Sequence, residues 1–235
     1  MGGSTFDKTN RLDQDKFNEI SEFIKVCDNY LLPFRLQNKN SHGDFDIIVS
    51  DTDPFVQLFK TFTQEKKRIL LFKERFSNMY SDHILTTDLY QIDLLKCWSV
   101  ESLEITRAYS SYSFANIFLK RMTDIVSMNL KFSFLGIICS SNKFVIPNDV
   151  KTIQIDSRTK LIIDCEYVFG LLDLDYSKFV AGFKNEIKLL EFFEKSKYYN
   201  QVKFRNCSKF RHDYNRLKPF KNLVDLGLIK VENFP

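Results

Sequence analysis

The run Gly43-Asp44-Phe45-Asp46-Ile47-Ile48-Val49 alternates carboxylates with apolar side chains at the period of a β-strand. Such a strand is half buried: Phe45 and Ile47 turn to one face, Asp44 and Asp46 to the other. A second apolar run, Tyr90-Gln91-Ile92-Asp93-Leu94-Leu95, is interrupted by one acid. If the two strands are neighbours, Asp93 joins the first pair. Carboxylates held that close repel one another, and a divalent cation relieves the repulsion. Ligands that are all oxygen suit Mg²⁺ or Mn²⁺. Two such ions held by carboxylates are the layout of a phosphoryl-transfer site.

The chain has 235 residues, enough for one large domain or two small ones, and its 24 phenylalanines can fill a sizeable core. No stretch approaches the roughly 20 apolar residues of a membrane-spanning helix. The opening Met1-Gly2-Gly3-Ser4-Thr5 lacks the apolar core of a secretory signal. With Phe6 where a Ser or Thr is wanted, it also departs from the myristoylation pattern. Cys27, Cys97, Cys139, Cys165 and Cys207 are scattered and never in CxxC spacing. They read as reduced thiols of a cytoplasmic or nuclear protein, without zinc site or disulfide frame.

The periodicity predicts an α+β fold in two parts, a mixed α/β lobe over 1–100 and a mainly helical lobe over 101–235. Helical spacing marks 13–29, and Asp51-Thr52-Asp53-Pro54 opens a helix to about Thr61. Strands are expected over Phe34–Gln37, through Asp44 and Asp46, over Arg68–Phe72, and over Leu89–Trp98. Beyond Trp98, helices are expected over 102–109, 114–130, 161–171, 183–193 and parts of 209–226. Short strands are expected over 132–138 and 143–146.

Net charge is only +4, but it is uneven. From Lys197 to Lys221 the residues Lys197, Lys203, Arg205, Lys209, Arg211, Arg216, Lys218 and Lys221 face one acid, Asp213, with Tyr and Phe interleaved. A cationic stretch with aromatics favours a nucleic-acid backbone and unstacked bases. The same pattern also suits a solvated helix face with its aromatics turned inward.

The pattern Gly43-Asp44-Phe45-Asp46-Ile47-Ile48-Val49, with Asp93 on a later apolar strand, resembles the nucleotidyltransferase superfamily, which includes DNA polymerase beta, poly(A) polymerases and CCA-adding enzymes. Within it, the chain is similar to small nucleotidyltransferase-like proteins of large DNA viruses and fungi. There a Tyr-Arg-Leu type strand precedes Gly-Asp-Ile-Asp, and here Phe34-Arg35-Leu36 precedes Gly43-Asp44-Phe45-Asp46. The likeness covers roughly residues 30–100 and extends more loosely through the helical part. The superfamily usually has a Gly-Ser pair several residues before the two acids, which cradles the triphosphate. Here the element next to the acids is Ser41-His42-Gly43. Either the cradle is shortened into this turn, or the site does not hold a nucleoside triphosphate.

The resemblance implies a site in a cleft between two lobes. It implies that Asp44 and Asp46 bind both of two Mg²⁺ or Mn²⁺ ions and that Asp93 completes the catalytic one. Ser41 and the amides of His42 and Gly43 would contact phosphates, with Lys120 and Arg121 as further cationic contacts. The implied reaction transfers a nucleoside monophosphate from a nucleoside triphosphate to a hydroxyl. An RNA 3′ end is the favoured acceptor, with Lys203, Arg205, Lys209, Arg211, Arg216 and Lys218 as its contacts. The alternatives are nucleotidylation of a protein or small molecule, or an inert binding domain of the same fold.

Other residues read as structural. His42 beside a turn glycine suits a solvent-facing loop, His83 and His212 lack evident ligand partners, and Trp98 suits the core. Tyr109, Tyr112 and Phe114 suit packing between the lobes rather than base stacking. Asp173 and Asp175 repeat the Asp-x-Asp pattern in a loop without a partner acid.

Overall fold

The computed structural model describes residues 5–65, 72–86, 88–112, 114–140, 144–202, 204–206, 227, 229 and 231–233. The chain divides into two units, Met1–Pro33 with Asn38–Arg107, and Phe34–Gln37 with Ala108–Pro235.

In the first unit, strand β1 (Leu12–Asp13) leads into helix α1 (Gln14–Phe23), capped by the Asp13 carboxylate, which accepts from the Lys16 amide. Strands β2 (Tyr30–Leu31), β3 (Ser41–His42) and β4 (Phe45–Val49) follow, then helix α2 (Asp53–Glu65). Strands β5 (Phe72–Ser77), β6 (Ser81–Thr86) and β7 (Gln91–Lys96) come next, then helix α3 (Leu103–Ser110), which crosses the boundary between the units. Five strands form one sheet in the order β2-β4-β7-β6-β5, while β1 and β3 form a separate ribbon. Within the sheet β4 and β7 are parallel and the other pairs antiparallel. A parallel pair needs a long connection, and α2, β5 and β6 supply it.

Alternation decides what each face of this sheet carries. Phe45, Ile47 and Val49 of β4, Ile84 of β6, and Ile92 and Leu94 of β7 pack against Ile20 of α1 and against Phe55, Val56 and Phe59 of α2. Each such side chain contributes roughly 1.5–3 kcal/mol on burial. The opposite face holds Ile48 and Leu95 with Leu31, Cys97 and Leu103. Asp46 and Asp93 belong to that second face, one residue out of step with the core positions.

The second unit contains helix α4 (Ala115–Val126), strands β8 (Leu130–Ser133), β9 (Gly136–Cys139), β10 (Thr152–Asp156) and β11 (Thr159–Ile162), and helices α5 (Cys165–Leu171), α6 (Tyr176–Ala181) and α7 (Glu186–Phe193). Strands β10-β11-β9-β8 make an antiparallel sheet, and β12 (Phe204–Asn206) pairs in parallel with β13 (Val231–Asn233). Gly136 has φ +134°, and a Cβ there would stand 2.7 Å from the Ile162 carbonyl oxygen, so β9 and β11 approach as they do because this residue has no side chain. Aromatic side chains dominate the core: Phe179 meets Tyr112, Phe169, Phe183 and Phe192. The Tyr112 hydroxyl donates to the Phe179 carbonyl at 3.0 Å.

The fold is therefore mixed α+β, with seven α-helices among the described residues. None of those helices is long and apolar enough to cross a membrane. The four described cysteines are free thiols.

Several local expectations change. Phe34–Gln37 is not a strand. Its backbone bonds instead to the Ser111 hydroxyl, the Tyr112 amide and the Phe183 carbonyl, and the strand beside β4 is β2. The 132–138 strand is a hairpin, β8 and β9, broken at Phe134-Leu135, where the Ser133 hydroxyl donates to the Gly136 carbonyl. The 161–171 helix starts only at Cys165, because Asp164 accepts from the Tyr167 amide as its cap and the preceding residues pair in β11. Residues 144–146 are not strand. Trp98 is 49% exposed, since the ladder ends when the Cys97 amide bonds the Val49 carbonyl. The second unit carries a four-stranded sheet besides its helices. Residues 68–71 and 209–226 lie outside the described residues.

Candidate metal centre

The parallel register of β4 and β7 sets Asp46 directly opposite Asp93. Asp44, two residues before Asp46, returns to the same face. One carboxylate oxygen from each of Asp44, Asp46 and Asp93 can be chosen so that all lie within 4.8 Å of one another. Asp44 and Asp93 are buried and Asp46 is half-buried. This donor set is all oxygen, anionic and convergent, so a hard divalent cation fits it.

The row continues across the sheet. His83 on β6 stands opposite Asp93, and Phe76 on β5 stands opposite His83. His83 Nδ1 donates to Asp93 Oδ1 at 2.8 Å, and His83 Nε2 lies 2.8 Å from the Ser81 hydroxyl. The Gln91 amide donates to both Asp93 oxygens, at 2.8 and 3.0 Å. The hydrogen bond to Asp93 raises the His83 pKa above that of an ordinary imidazole, against the opposing effect of burial, with the charges of Asp93, Asp82 and Asp46 adding to the rise. His83 thus has a partner, contrary to its isolated look in sequence. The signal that finds it is the β6–β7 hairpin, in which 83 pairs with 93 just as 84 pairs with 92.

One position along β6, on the helix-packed face, lies a separate charge network. Asp82 is fully buried and pairs with Arg75 Nη2 at 2.6 Å and with Lys96 Nζ at 3.0 Å. Burial alone would raise its pKa, but hydrogen bonds from Thr52, Lys96, Ser77 and Arg75 lower it to about 2. This cluster braces the sheet from behind the acids.

The remaining candidates have other local partners. Ser41 is exposed, and its hydroxyl accepts from Arg11 Nε at 2.8 Å. Gly43 is half-buried beside Asp44. His42 is 2% exposed rather than solvent-facing, because β3 turns its ring inward onto Phe17, with ring centroids 4.5 Å apart. In the second unit, Lys120 Nζ lies 5.0 Å from the centre of the Tyr109 ring, and Arg121 pairs with Asp124 at 3.4 Å. Lys120, Arg121 and Lys131 line a hollow of about 230 Å³. Tyr109 also packs on Phe132 and Phe134, while Tyr112 and Phe114 are core residues of the same unit. Asp173 accepts from the Lys197 amide and Asp175 caps α6, so both have backbone partners. Of the basic segment, Arg205 is placed by its backbone in β12, and Lys203, Lys209, Arg211, Arg216 and Lys218 lie outside the described residues.

Compared with the models of known protein families, the chain matches none, and no curated protein matches it either.

Proposed function

We propose that the protein is a metal-dependent nucleotidyltransferase with a nucleotidyltransferase-like first unit. It would move a nucleoside monophosphate from a nucleoside triphosphate to a hydroxyl and release pyrophosphate. The observation that carries this reading is the juxtaposition of Asp46 and Asp93 across β4 and β7, with Asp44 beside them. Asp44, Asp46 and Asp93 would hold two Mg²⁺ or Mn²⁺ ions. When bound, these ions neutralise the triphosphate and the leaving pyrophosphate and lower the pKa of the acceptor hydroxyl.

The chain's own part is positional. Packing of Phe45, Ile47, Ile92 and Leu94 against α1 and α2 holds β4 and β7 in register, and so holds the carboxylates together. The acceptor oxygen forms a bond to the α-phosphorus as the bond to the pyrophosphate oxygen breaks, and the acceptor proton passes to water. Exposed Ser41 and the amides of His42 and Gly43, next to Asp44, are the candidates for phosphate contact. The basic segment from Lys197 to Lys221 supports an RNA 3′ end as acceptor.

Incubation with each labelled nucleoside triphosphate, Mg²⁺ or Mn²⁺, and RNA, DNA or no added acceptor tests the proposal. The expected result is label on RNA that is absent with an Asp44→Ala, Asp46→Ala double variant. Label in protein instead would reassign the acceptor. No transfer under any condition, with no metal-dependent nucleotide binding, would overturn the enzymatic reading.

A further inference from the structure

Most of the hydrogen-bonding capacity of Asp93 is spoken for by its neighbours on the sheet. A carboxylate accepts about two hydrogens per oxygen. Asp93 Oδ1 already accepts from His83 Nδ1 and from Gln91 Nε2, both at 2.8 Å, and among the described residues Oδ2 accepts only the second Gln91 contact at 3.0 Å. One acceptor position remains, on Oδ2.

The orientation of Gln91 follows from the same chemistry. A carboxylate only accepts, so the Gln91 amide must present its NH₂ to Asp93 and turn Oε1 away. Gln91 is 1% exposed, and Oε1 has no hydrogen-bond partner among the described residues. A buried carbonyl of this kind is unfavourable unless something supplies a hydrogen. His83 is fixed comparably: Ser81 holds Nε2, the Phe76 ring lies 6.0 Å away, and Nδ1 is left to donate to Asp93.

Resting on the reading of Asp44, Asp46 and Asp93 as cation ligands, we infer that His83 and Gln91 are positioning residues that make Asp93 a one-oxygen ligand through Oδ2. Neither residue touches the cation. Their work is to deny Asp93 the rotations that would let it chelate through both oxygens or swing toward water.

The experiment is a Mn²⁺ titration followed by electron paramagnetic resonance on the full chain, with melting temperatures in chelator recorded in parallel. His83→Leu and Gln91→Leu are expected to weaken Mn²⁺ binding roughly 10–100-fold. His83→Asn is expected to bind nearly as wild type, because its NH₂ is bonded to Cγ just as Nδ1 is in histidine. Should His83→Leu fail to fold, His83→Gln reads the same difference, since its NH₂ sits one carbon too far. Equal affinity of the wild type and both Leu variants would overturn the positioning role while leaving the cation site standing. Wild-type binding no stronger than that of Asp46→Asn would overturn both.

Discussion

Asp46 stands directly opposite Asp93 in the register of the parallel pair β4 and β7, where strands lie about 4.8 Å apart. Like charges at that spacing destabilise the fold that creates them. The sheet holds them because the core positions on either side, Phe45 with Ile92 and Ile47 with Leu94, are paired in the same register.

That conflict between stability and function is measurable. Asp46→Asn removes one charge from the cluster and is expected to stabilise the metal-free protein by on the order of 1 kcal/mol, or about 2–4 °C in Tm for a chain of this size. Wild type should gain roughly 2.7 kcal/mol at Mn²⁺ a hundredfold above its Kd, and the variant far less. Thermal unfolding with and without Mn²⁺ checks both halves.

Asp82 sets an acid limit. Its folded pKa of about 2 lies below the ordinary carboxylate value, so the unfolded chain binds the proton more readily. The stability it contributes is complete above roughly pH 4 and is lost as pH falls toward about 2. Arg75→Met leaves this buried carboxylate with Lys96 as its remaining cation partner and is expected to cost on the order of 3 kcal/mol at pH 7. Denaturant unfolding from pH 2 to 7 should show a shallower acid slope for Asp82→Asn than for wild type.

Gly136→Ala is expected to destabilise the second unit by roughly 1–3 kcal/mol. The new methyl would meet the Ile162 carbonyl, and the positive φ strains any residue with a Cβ. A lower unfolding midpoint, with Mn²⁺ affinity unchanged, is the predicted outcome.

The two faces of β4 were legible in the sequence because strand alternation is local: Phe45 and Ile47 against Asp44 and Asp46 need no knowledge of the rest of the chain. The partner strand was not. Nothing near Asp46 in the chain says that β7 lies beside β4 in parallel, and the only sequence sign of Asp93 is an acid interrupting an apolar run. β6 escapes notice for a related reason. Ser81, Asp82 and His83 look polar, yet Ser81 and Asp82 are buried and only the hairpin register places His83 against Asp93. Trp98 misled because its neighbours are apolar, whereas exposure is decided by where the ladder ends.

If RNA is the acceptor, replacing Lys203, Arg205, Lys209, Arg211, Arg216 and Lys218 by Gln should weaken RNA binding and flatten its salt dependence. Six lost phosphate contacts would lower the slope of log affinity against log salt by roughly 4. Fluorescence anisotropy with a labelled single strand at several salt concentrations measures it. An unchanged slope would leave these side chains as a solvated surface.

The most direct measurement is anomalous diffraction from a crystal soaked in Mn²⁺ with a nonhydrolysable nucleoside triphosphate. The account predicts anomalous peaks contacted by oxygens of Asp44, Asp46 and Asp93, with Asp93 contributing Oδ2, and triphosphate oxygens on the same ions. Mn²⁺ bound elsewhere on the chain, with no peak between these three carboxylates, would contradict it.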